Sequence, residues 1–76
     1  MKTLLKTNPI LIDKVIEACE AHGATASVRT LSSYGFAGFG YAISLGLGIN
    51  DKVIEVDGLR SETIALLDGV VKFVRV

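Results

Sequence analysis

The chain has no tryptophan, and only one cysteine, one proline and one histidine among its 76 residues. Each scarcity excludes something. The single thiol, Cys19, forms no disulfide within the chain. A reducing compartment, the cytoplasm, is therefore the expected location. The single histidine, His22, leaves serines 27, 32, 33, 44 and 61 without a partnered base. No nucleophile–base constellation is legible, and the sequence points away from an enzyme. Cys19 and His22 sit three apart on one helix and could face the same way, but zinc takes three or four ligands and no others stand at suitable spacing. No metal and no cofactor are expected. Surplus charge is missing too: Lys plus Arg and Asp plus Glu each number 8. That balance excludes a general electrostatic grip on nucleic acid, leaving at most a local basic patch. The opening "MKTLLKTNP" has no continuous apolar stretch ending in a cleavage site, so no signal peptide is expected.

What the chain does have is apolar material, 50% of its residues. Residues 1–76 read as a single domain, close to the size at which one core barely suffices. A small monomer cannot hide so much apolar surface, which points to a subunit interface. "MKTLLKT" reads as a strand with Lys2, Leu4 and Lys6 on one face and Thr3 and Leu5 on the other. Asn8-Pro9 marks a helix start: the asparagine accepts from a first-turn amide, and proline fills a position where its missing N–H costs nothing. Ile12, Val15, Ile16 and Cys19 then recur at helical spacing as a buried stripe, and Gly23 suits the left-handed position that closes a helix. "ATASVRTLSS" reads as a second strand.

The segment "YGFAGFGYAISLGLGIN", residues 34–50, has no charge and five glycines. Phe39, Tyr41, Ile43, Leu45, Leu47 and Ile49 alternate with Gly40, Ala42, Ser44, Gly46, Gly48 and Asn50. A strand separates such sets onto two faces, whereas a helix scatters them. A long strand over 39–49 is therefore predicted, with a turn at Ala37-Gly38. A membrane span over 31–50 is the competing reading, supported by the length and by the small residues Gly38, Ala42 and Gly46. The strict alternation and the glycines, serines and tyrosines weigh against it.

"KVIEV", residues 52–56, reads either as a strand turning at Asp57-Gly58 or as the start of a helix. A helix is predicted over about Leu59–Leu67, with Ile64, Leu66 and Leu67 apolar and Gly69 ending it. "VVKFVRV" reads as a closing strand. The order β-α-β-β-(β)-α-β predicts an α+β fold, the ferredoxin-like plait, with an antiparallel sheet and two helices on one face. If "KVIEV" is a strand, Asp51, Glu55 and Asp57 alternate on one side, either as an acid pair or as solvated charges.

Three stretches resemble known families. "PILIDKVIEACEAHG" (9–23) resembles the first helix of PII-type signal-transduction proteins, with Pro9, Ile12, Asp13, Val15, Ala18, Cys19 and Gly23 at the corresponding places. "DGVVKFVRV" (68–76) is similar to the Asp-Gly-Lys-Ile-Phe-Val segment of that family, with Val70 where the family carries a phosphate-binding lysine. Small amino-acid-binding regulatory (ACT) domains share the general pattern. The resemblance implies a homodimeric or homotrimeric regulatory module that takes a metabolite or nucleotide between subunits, or meets a regulated protein partner. Gly35, Gly38 and Gly40 at a hairpin tip, with Lys72 and Arg75 as anion partners, are the candidate ligand residues. "YGFAGF" (34–39) resembles the centre of the ribonucleoprotein motif of RNA-recognition domains, which would make Tyr34, Phe36 and Phe39 base-stacking residues. An RNA-binding domain and a small membrane-associated protein are thus the alternatives to a self-associating module.

Overall fold

The first strand is held on both sides and buried on both faces. In the computed structural model, which describes residues 2–30, 32, 48 and 50–75, β1 spans Lys2–Lys6. It pairs antiparallel with β3 (Lys52–Asp57) on one side and β4 (Lys72–Arg75) on the other. β2 (Thr25–Thr30) pairs antiparallel with the far edge of β3, giving four strands in the order β2-β3-β1-β4. Helix α1 (Ile12–Ala21) joins β1 to β2, and α2 (Ser61–Leu67) joins β3 to β4. Each helix thus links two strands that run the same way and are separated by one strand between them. The fold is α+β, with two interleaved strand–helix–strand units.

Register fixes which residues share a face. Leu5 stands opposite Ile54 and Phe73, and Ile54 opposite Val28, while Val56 stands opposite Thr3 and Ala26. Leu5, Ile54 and Val56 join Val15 and Cys19 of α1 and Leu67 of α2 in one buried cluster. Both helices therefore lie on the same face of the sheet, where they contact each other. Burial of these side chains supplies roughly 1.5–3 kcal/mol each, the main favourable term in a chain with no covalent staple.

The helix ends follow the predicted chemistry. Asn8 Oδ1 accepts from the Ile10 N–H at 3.1 Å, and Pro9 opens a single 3-10 turn, Pro9–Leu11, that leads into α1. Val15 and Cys19 are buried and Ile12 and Ile16 pack beside them, the stripe expected from spacing. At the other end the Ala24 N–H donates to Cys19 O at 3.1 Å and the Gly23 N–H to Glu20 O at 3.1 Å. This pair of bonds is a Schellman motif, with Gly23 at φ 86° and Ala24 contributing to the same core as Cys19.

The ambiguous "KVIEV" is strand. Val53, Ile54 and Val56 are buried between two neighbouring strands, an environment that suits β-branched side chains. It is the single strand described between β2 and α2. The strand predicted over 39–49 and the turn at Ala37-Gly38 lie outside the described residues, apart from Gly48. The second helix begins at Ser61 rather than Leu59, and its buried face is Thr63 and Leu67, one turn apart. Ile64 and Leu66, read as apolar, are 42% and 59% exposed. Gly69, at φ 83°, closes the helix, and the last strand begins two residues later than the apolar run suggested.

Thr63 is fully buried, and among the described residues its hydroxyl has no hydrogen-bond partner. An unpaired buried hydroxyl costs on the order of 1–3 kcal/mol, whereas valine has nearly the same shape and no polar atom. Thr63→Val is expected to raise the urea midpoint, by about 1 kcal/mol of stability. Gly23→Ala should lower it by about 1 kcal/mol. A Cβ there would meet only Arg60 Nη2 at 3.8 Å, so the loss comes from the positive φ and not from a clash.

Candidate functional site

The sheet face away from the helices carries the described charges of interest. Leu4 and Val53, buried to 2% and 1% exposure, lie outside the helix-side cluster because alternation points them to this other face. That face is thus covered at its centre. Around the two apolar residues stand Lys6, Arg29, Glu55 and Lys72. Lys6 is directly opposite Lys72 across β1 and β4, and its Nζ donates to Lys52 O at 3.4 Å. Arg29, opposite Val53, holds Glu55 Oε2 at 3.2 Å through Nε.

The predicted ligand set meets this arrangement in part. Lys72 is exposed at the start of β4, in register with Lys6. Arg75 stands opposite Thr3, three positions along, so the two cations do not share a register row. Gly35, Gly38 and Gly40, and the aromatic residues Tyr34, Phe36 and Phe39, lie outside the described residues. Lys6 was not read from the sequence as a site residue, because its nearness to Lys72 arises only when the first strand pairs with the last.

The three carboxylates are separated by their tasks. Asp51 Oδ2 accepts from the Gly48 N–H at 2.8 Å, and the Asp51 N–H returns a bond to Gly48 O at 3.1 Å, which closes a turn. Glu55 is held by Arg29, and Glu55 and Asp57 line a shallow groove of about 300 Å³ with Thr25, Ala26 and Ser27. Among the described residues no three His, Cys, Asp or Glu side chains gather as metal ligands. Cys19 is sealed in the core, while His22 is exposed at the end of α1 with Nδ1 2.9 Å from Ala18 O. Burial, and secondarily the charge of Glu20, pushes the Cys19 thiol above its ordinary range. It stays protonated at neutral pH and is a poor nucleophile. Among the described residues no helix is long and apolar enough to cross a membrane.

No protein-family model, no curated protein and no solved structure matches this chain.

Like charges directly opposite in a sheet repel, so the Lys6–Lys72 pair is a local cost carried by the fold. Lys72→Glu places opposite charges there and is expected to raise stability by about 0.5 kcal/mol in low salt. The gain should shrink as added salt shortens the screening length, and denaturant melts at two ionic strengths check it.

Proposed function

We propose that this chain is a small regulatory or interaction module with the ferredoxin-like plait. On this reading it associates with copies of itself through its sheet, as a dimer or trimer in the cytoplasm, and works by binding rather than by catalysis. The strand order β2-β3-β1-β4, with two interleaved strand–helix–strand units, supports the plait. The observation that carries the association is the state of β2. Among the described residues its strand partner is β3, five of its six residues are exposed, and Val28 is among them. A half-apolar chain of 8.1 kDa that also leaves Ile10, Ile64, Leu66 and Val70 exposed has apolar surface to cover.

The ligand on this reading is an anionic metabolite or nucleotide held between subunits. Lys72, with Lys6 beside it, offers the positive charge, and the unfavourable pairing of the two lysines is relieved by an anion that bridges them. The cost of holding two cations together is then part of the binding design.

Light scattering over a wide concentration range tests the association. The expected mass is an integral multiple, two or three, of the 8.1 kDa chain. A monomer mass at every concentration would remove the reading.

A further inference from the structure

We propose that Lys6 and Lys72 together form a site for a doubly charged phosphate group, that of a phosphomonoester. The inference rests on the anion-binding reading of this face and names the chemical class of the ligand. Lys6 and Lys72 stand directly opposite one another on β1 and β4. Side chains so placed leave the same face of the sheet, with Cβ atoms about 4.5–5.5 Å apart. Lys72 is exposed and Lys6 half-buried. Lys6 Nζ reaches a backbone oxygen, Lys52 O, at a long 3.4 Å. Among the described residues neither ammonium has a carboxylate within ion-pairing distance. The pair thus presents two positive charges with no compensating acid.

The neighbours of the two lysines narrow the chemistry. Lys6 follows the Leu5–Ile54 pair, which sets it beside Val53, and Val53 stands opposite Arg29. The row across the four strands therefore reads Lys72, Lys6, Val53, Arg29. Val53, at 1% exposure, is a low-dielectric neighbour that strengthens the field of Lys6. Arginine is the side chain whose planar fork matches a carboxylate. The one arginine of the row already holds a carboxylate of its own, Glu55 Oε2, at 3.2 Å. What remains is a pair of lysines, compact point charges on flexible stems, and these suit phosphate oxygens.

Charge count then selects among oxyanions. A carboxylate carries one negative charge, as does each phosphodiester of a nucleic acid, and either leaves one ammonium uncompensated. A phosphomonoester carries about −1.5 to −2 at neutral pH, spread over three acceptor oxygens. It neutralises both lysines and gives each a separate oxygen. The like-charge repulsion between β1 and β4, unfavourable in the chain alone, becomes attraction to a common centre.

Phenyl phosphate and phenyl sulfate separate charge from shape, since both head groups are tetrahedral and differ by about one charge at neutral pH. Benzoate supplies the carboxylate. Each is titrated into the full chain at low salt and followed by amide NMR. Phenyl phosphate should move the signals of residues 6 and 72. It should bind about tenfold more tightly than either monoanion. Lys6→Gln and Lys72→Gln each remove a repulsion, so both variants keep the fold. Each should weaken phenyl phosphate about tenfold and erase its advantage over phenyl sulfate. Equal binding of the three anions would overturn the phosphomonoester class and leave an anion site standing. Phenyl phosphate binding that neither substitution weakens would overturn the lysine pair. Binding of none of the three would remove the anionic ligand altogether, while the mass in solution decides self-association separately.

Discussion

Every other part of the structure leans on the burial of β1 from both sides. Leu5 lies in the helix-side core at 0% exposure, and Leu4, its neighbour, is equally hidden on the opposite face. A strand with large apolar side chains on both faces has to be interior, and β1 is: β3 flanks one edge and β4 the other. Once β1 is central, β2 and β4 take the outer places among the described strands. The helices then share one face because the two crossovers start from antiparallel strands and step in opposite directions, so right-handed connections put both on the same side. The position of β1 also sets the electrostatics of the second face, since it is β1 that carries Lys6 to Lys72.

Much of the local structure was legible from the chain. Asn8, Pro9 and Gly23 bracketed α1 because capping and the left-handed turn are chemistry of single residues and their immediate neighbours. The strand character of β1, β2 and β4 followed from alternation and composition. "KVIEV" stayed ambiguous because its short apolar run fits a strand and a helix equally until burial on two faces is known. The second helix is recognised by its apolar residues, which do not by themselves reveal its buried face. Its hidden face runs from Thr63 to Leu67, so a threonine lies inward while Ile64 and Leu66 face water. The four-residue spacing back from Leu67 was the available signal, and the polarity of threonine masked it.

The candidate site was less legible, for a different reason. Lys72 was singled out as an anion partner, but the lysine beside it comes from residue 6, and nothing local connects the two. The outer place of β2 among the four described strands is likewise a property of strand order rather than of its six residues. Alternation says which face a side chain takes and leaves open which strand lies next to it. The feature that bears most on function here, a paired cation row, is a product of pairing at long range.

The interleaving of the two strand–helix–strand units also has a bearing on how the chain is made. β1 is made before its hydrogen-bonding neighbours, residues 52–57 and 72–75. Until then Leu4 and Leu5 have no sheet to enter, and closing so long a loop is entropically slow. Vectorial synthesis therefore holds β1 in waiting until those two strands have been made. That interval, more than the finished fold, is when the nascent chain is most open to aggregation and most in need of a chaperone.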